Sequence, residues 1–136
     1  MKEMIIFNKP ETIHDPEDAY KYLKDFRYKN KEYFILLGVD TKHQIRFRHI
    51  VSIGCLNAAI VHPREVFRPA IAYEDGIAAI IVAHNHCSGC VQPSREDLNS
   101  TSRLAECGEI LGIELLDHLI VSKEEELSIR QYGWPR

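Results

Sequence analysis

The run Gly76-Ile77-Ala78-Ala79-Ile80-Ile81-Val82-Ala83, with His84-Asn85-His86 directly behind it, constrains this chain more than any other segment. It follows a Glu-Asp-Gly turn and is continuously apolar rather than alternating. It is also far short of the ~20 residues a membrane helix needs. Such a run reads as a strand buried on both faces, in the middle of an α/β sheet. The two histidines are expected just past its end, where sites form in open α/β sheets. A loop with Ser88 and Gly89 follows, and the pattern turns helical after Pro93 and Ser94. Ser94 reads as the N-cap, with Asp97 three residues on as the acid of a capping box.

Side chains two apart on an extended segment point the same way, so His84 and His86 share a side. An aspartate in the first turn of the next helix can face back toward that strand end. Two neutral imidazoles and one carboxylate make a three-ligand site for a divalent cation. Zn2+ is the first choice, one ion per chain, with a fourth position open for water. A histidine by itself is usually a core or surface residue, and a serine–aspartate pair is usually only a cap. The pattern points to metal because His84, His86 and Asp97 occur together after a buried strand.

The spacing H-x-H-x10-D, with Ser94 three before the aspartate, resembles the JAMM (MPN-plus) metalloprotease signature and, more closely, the RadC-like JAB domain. The similarity extends to Leu56-Asn57, to Val61-His62-Pro63-Arg64-Glu65-Val66-Phe67, and to Gly112-Ile113-Glu114-Leu115-Leu116-Asp117-His118-Leu119-Ile120-Val121. It runs from about Lys31 to the C-terminus. The resemblance implies a single α/β domain with a mixed central sheet flanked by helices, a JAB/MPN fold similar to that of the cytidine deaminases. Residues 31–136 would form this domain, and residues 1–30 an arm and helix packed on it. It also implies a zinc-dependent hydrolase of peptide or isopeptide bonds using a metal-activated water.

The family places a water-activating glutamate at the start of an early strand, and the matching residue is Glu32, in Lys31-Glu32-Tyr33-Phe34-Ile35-Leu36-Leu37. Such a carboxylate takes and then returns a proton. Most strand-end glutamates are simply solvated. Glu65, the rival for the role, lies after Pro63 in the first turn of a helix, where the helix dipole favours an acid; it reads as structural. The resemblance gives Ser94 a part in stabilising the oxyanion beside its capping role.

The chain departs from the family pattern at Cys87 and Cys90, where members commonly carry a proline and an acidic residue. The resulting C-x-x-C has three readings: a thiolate that closes the open metal position, a redox-sensitive pair, or two small loop residues. Zinc nucleobase deaminases use H-x-E followed by P-C-x-x-C. Here His86 stands where the glutamate would be and no proline precedes Cys87, so ligand identity excludes that chemistry. Cys55 and Cys107 read as reduced, buried or half-buried thiols.

At 136 residues and a net charge of −3, the chain is one domain with an ordinary core. The charge argues against a dedicated nucleic-acid binder, although Lys42, His43, Arg46, Arg48 and His49 cluster along one hairpin. No membrane segment or secretory signal is evident, and few, irregularly spaced cysteines suggest a reducing cytoplasm. RadC-like proteins often carry a helix-hairpin-helix module ahead of the metal domain, for which the first thirty residues are too few. A second reading, a non-catalytic DNA-repair or mobile-element accessory protein, rests on the cysteine substitutions and the uncertain substrates of the group. The expected partner is a peptide or protein substrate, and hairpin edges offer a route to a homodimer.

Elsewhere, Asp15-Pro16-Glu17-Asp18 starts a helix whose Ala19, Tyr20, Leu23 and Phe26 form a core stripe. Tyr33–Asp40 and Gln44–Cys55 read as a hairpin. Arg64–Tyr73 reads as a helix that Pro69 should kink or split. Leu98–Leu111 is a helix with Leu98, Leu104, Ala105 and Leu111 inward, capped by Gly112. Leu115–Ser122 is a strand containing Asp117 and His118, with His118 first a satisfied strand histidine and second a partner behind the metal ligands. Leu127–Arg130 reads as a short edge strand.

Overall fold

Residues 4–54 and 61–134 are described by a computed structural model. Cys55, the Leu56-Asn57 block and the far end of the expected hairpin lie outside these residues. Six strands form one sheet: β1 (Met4–Ile6), β2 (Glu32–Val39), β3 (Ile45–Gly54), β4 (Ala79–Asn85), β5 (Glu114–Val121) and β6 (Glu126–Ser128). Their order across the sheet is β1-β3-β2-β4-β5-β6. Only β4 and β5 run parallel. They are joined by α3 (Arg95–Leu111), the long crossover that a parallel pair requires.

Alternation along β2 and β4 sorts the core. Ile35, Leu37, Val39, Ile81 and Ala83 pack with Ala19, Tyr20, Leu23 and Phe26 on one face of the sheet. Those last four come from α1 (Pro16–Tyr20) and the 3-10 turn Lys21–Phe26. Phe34, Leu36, Ile80 and Val82 pack on the other face with Val66, Phe67 and Ala70 of α2 (Pro63–Ala72) and with Leu104 of α3. Continuing the alternation, His84 emerges on the α3 face.

The start of α1 is as expected, with the Asp15 carboxylate accepting from the Asp18 amide at 3.2 Å and Pro16 in the first turn. Gly112 closes α3 with φ 75°. Several boundaries differ from the expectation. The strand begins at Ala79 rather than Gly76, because Gly76 (φ 85°) is still in the preceding turn. It also runs on through His84 and Asn85, so His84 lies within β4 and only His86 lies past its end. Pro69 does not split α2; its ring removes one hydrogen bond, and the buried Val66, Phe67 and Ala70 hold the helix together across it. Leu111 is 48% exposed and Leu98 only half-buried, so the inner face of α3 is carried by the expected Leu104 together with Ser100, Thr101 and Gly108. The last strand is Glu126–Ser128, and Ile129 begins a short helix, α4 (Ile129–Gly133).

The two hairpin arginines are engaged within the fold. Arg46 lies 3.6 Å from Asp40 and 3.6 Å from Asp75. Arg48 donates to the Tyr22 carbonyl at 3.0 Å, pairs with Asp25 at 3.6 Å, and sits 4.9 Å from the centre of the Phe26 ring.

Gly108 sets how closely α3 approaches β5. A Cβ there would collide with the Ile113 carbonyl oxygen, a backbone atom with little room to move. Gly→Ala in an exposed helix interior ordinarily stabilises by up to about 1 kcal/mol. Gly108→Ala is instead expected to destabilise by about 1–3 kcal/mol through overpacking. Urea unfolding checks this, and a raised midpoint contradicts it.

Candidate metal centre

The junction of β4 and α3 brings three side chains to one point. His84 is buried at the end of β4, His86 follows it, and Asp97 is buried in the first turn of α3. The two Nε2 atoms are 2.8 Å apart. The Asp97 carboxylate lies 3.3 Å from His84 Nε2 through Oδ1 and 3.4 Å from His86 Nε2 through Oδ2. All three ligand atoms fall within 4.8 Å of one another.

Asp97 is aimed by the capping box. Its amide donates to Ser94 Oγ at 3.0 Å, and its Oδ2 accepts from the Ser94 amide at 2.9 Å. Burial opposes the charged form of Asp97, but the His84 and His86 rings beside it outweigh that and hold the carboxyl far below the usual carboxylate range. The same contact with Asp97 raises the pKa of His86, against burial that lowers it.

The polarity of a hydrogen-bond chain behind His84 determines which nitrogen faces the cluster. Thr101, one turn after Asp97, donates its hydroxyl to the Asp97 carbonyl at 2.7 Å. A hydroxyl has one proton, so at the 2.6 Å contact between Thr101 Oγ1 and His118 Nδ1 the histidine must donate. Burial, with His84 beside it, holds His118 well below its ordinary pKa, so its ring stays neutral and its Nε2 accepts. His84 Nδ1, 2.8 Å away, is therefore the donor, which leaves Nε2 as the nitrogen that a neutral His84 ring presents to the cluster. At His86 the Cys90 carbonyl, 2.7 Å from Nδ1, imposes the same tautomer. Phe34 stacks along His84 at 6.1 Å between ring centres and meets His118 edge-on at 5.8 Å, closing the rear of the site.

This donor set fits a divalent cation. In a neutral pair, two lone pairs would confront one another at 2.8 Å beside a carboxylate, an arrangement that calls for a shared electrophile. Tetrahedral zinc, with bonds of about 2.0–2.2 Å, needs ligand atoms about 3.3 Å apart. The two carboxylate distances already match, and the imidazole pair needs to open slightly.

Glu32 begins β2, half-buried, and its Oε2 accepts from the Cys87 amide at 3.4 Å. Its placement depends on Asn85, whose side chain alternates away from the two histidines. Asn85 Oδ1 accepts from the Tyr33 amide at 2.7 Å, and its Nδ2 donates to the Lys31 carbonyl at 2.9 Å, gripping the backbone on either side of Glu32. Glu65, in the first turn of α2, lies 3.5 Å from Arg68. Ser94 is exposed at the helix start. Cys87 and Cys90 are free thiols, and neither sulfur joins the ligand cluster. Burial, and then Glu32, pushes the Cys87 thiol up.

Three residues of this neighbourhood carry more than the sequence pattern assigned to them. His118 is a partner of His84 rather than merely a satisfied strand histidine. Thr101 and Asn85 had no assigned role, although Thr101 stands four residues after Asp97, on the same helix face. Asn85→Ala is expected to leave the Tyr33 amide and Lys31 carbonyl unpaired and to lower stability by about 1–3 kcal/mol. A denaturation midpoint equal to the parent's would remove this clamp from the account.

Comparison with known proteins agrees with this geometry. The RadC-like JAB domain model matches residues 13–134. A UPF0758 protein of Geobacillus kaustophilus is 50% identical over 124 residues, covering 90% of this chain and 54% of that protein. Another, from Geobacillus thermodenitrificans, is 48% identical over 129 residues, 94% of this chain and 56% of that protein. One from Bacillus cereus is 46% identical over 123 residues, again with 54% of that protein covered. The chain thus spans just over half the length of these relatives. Among the described residues no helix is long and apolar enough to cross a membrane. With the family model covering nearly the whole sequence, the chain belongs to the RadC-like JAB domain family.

Proposed function

We propose that this domain is a zinc-dependent hydrolase acting on peptide or isopeptide bonds. One observation carries the reading: two imidazole Nε2 atoms and a carboxylate converge within 4.8 Å, each aimed by a separate hydrogen bond. His84, His86 and Asp97 would hold the ion. A bound Zn2+ supplies a Lewis acid that polarises the scissile carbonyl and lowers the pKa of a water.

The chain's own residues supply the rest. Glu32, held at the start of β2 by Asn85, takes the proton of the attacking water on its carboxylate and passes it to the leaving amine. Ser94 Oγ accepts from the Asp97 amide and still carries a proton to donate to the developing oxyanion. Among the described residues Phe34 and the buried His118 back the cluster, on the side away from the loop between β4 and α3. DNA as a partner finds less support, because the hairpin arginines are paired internally.

His86→Ala is expected to abolish bound zinc in elemental analysis of purified protein. A variant retaining one zinc per chain contradicts the ligand assignment. Glu32→Gln should keep the metal and lose cleavage of any peptide or isopeptide that the parent hydrolyses, and unchanged turnover removes Glu32 from the role.

The hydrogen-bond chain behind His84 makes a separate prediction. Thr101→Val removes the hydroxyl at nearly constant volume and should weaken zinc binding about 10–100-fold, as loss of a ligand's outer partner does. Thr101→Ser should restore it. Competition with a chromogenic chelator measures both, and equal affinities for the valine and serine variants contradict the chain.

A further inference from the structure

The C-x-x-C at the mouth of the site has no part in the ligand cluster, yet its backbone holds two functional side chains. The Cys90 carbonyl fixes His86 through Nδ1 at 2.7 Å, and the Cys87 amide donates to Glu32 at 3.4 Å. Both cysteines are exposed and free. Residues three apart span about 10 Å when extended, whereas bridged cysteines need Cα atoms about 4.4–6.8 Å apart. The chain already bends here: the Gly89 amide donates to the His86 carbonyl at 3.2 Å, and Gly89 has φ 91°, a conformation that favours glycine. The Cys87 sulfur is engaged only lightly, 3.6 Å from the Lys29 carbonyl and 3.9 Å from Asn85 Nδ2.

We propose that Cys87 and Cys90 form a modification site for low-molecular-weight disulfides, and that bridging them loosens the cation site by drawing the Cys90 carbonyl away from His86. In the first step one cysteine thiolate attacks a disulfide such as oxidised glutathione. A mixed disulfide forms and one glutathione thiolate leaves. The second cysteine, deprotonated, then attacks the mixed disulfide and releases the second glutathione. Two protein thiols have lost two electrons and two protons, and one small disulfide has become two thiols. His86 is left without the acceptor that selects its tautomer, while the Thr101–His118–His84 chain is untouched. The site is thereby weakened rather than dismantled. This inference rests on the metal reading of His84, His86 and Asp97.

The test compares reduced protein with protein treated with oxidised glutathione at pH 8.5, where an ordinary thiol is about half ionised. Mass spectrometry of the peptide carrying both cysteines follows the bridge, and chelator competition follows zinc affinity. We expect loss of two hydrogens from that peptide and a zinc affinity about 10–100-fold lower, restored by dithiothreitol. Cys87→Ser and Cys90→Ser should stop at the mixed disulfide, with no loss of two hydrogens from that peptide. Failure of the bridge to form, or a bridged protein that binds zinc as tightly as the reduced one, overturns the proposal. So does a thiolate charge-transfer band in the Co2+ form of the reduced protein, because the sulfurs would then be ligands. If the reduced protein binds no zinc at all, the metal reading itself fails.

Discussion

Two imidazole Nε2 atoms 2.8 Å apart, with a carboxylate beside both, form an arrangement that a protein has to impose. A free histidine would rotate or exchange tautomers to relieve it. Here each ring is held from behind by a bond whose direction is not negotiable. A carbonyl oxygen can only accept, so His86 donates from Nδ1. Thr101 has already given its proton to the Asp97 carbonyl, so His118 donates to it, and His84 donates to His118. This polarity runs from the backbone of one prospective ligand, Asp97, round to the side chain of another, His84. The site and its support therefore close on each other.

The fold supplies this closure through a single parallel crossover. β4 carries His84, α3 carries Asp97 and Thr101, and β5 carries His118, all within one β-α-β unit. The register that pairs Val82 with His118 sets the His118 ring behind His84. Gly108 lets α3 approach the start of β5 closely. β2, antiparallel to β4 on the other side, brings Glu32 up to the loop, and Asn85 locks its backbone there. The remaining strands and α2 bury the two core faces and leave the junction of β4 and α3 as the place where polar side chains meet.

Much of this was legible in the sequence because it depends on short separations. The alternation that aligns His84 with His86, and the capping box that aims Asp97, act over two and three residues. The apolar run before them could only be an interior strand. The partners brought in by tertiary pairing were harder to read. His118 lies 34 residues from His84 and looks like any strand histidine until the β4–β5 register is known. Asn85 sits between two histidines, and its value lies in facing the opposite way, toward a strand whose position the sequence did not specify. The boundary errors have the same origin. Gly76 to Ala78 are apolar like the strand, but the turn ahead of them decides where pairing begins. The inner face of α3 is built from Ser100, Thr101 and Gly108 as well as Leu104, because a close helix–sheet contact favours small residues over the bulky ones that periodicity counts.

The central claim concerns protons, and nitrogen NMR reads protons on histidine directly. Long-range 1H–15N correlation spectra of the zinc-loaded protein are predicted to show His84 and His86 both protonated at Nδ1 and ligated through Nε2, with His118 neutral and protonated at Nδ1. A spectrum with either prospective ligand ring protonated at Nε2, or with zinc on Nδ1, would contradict the account.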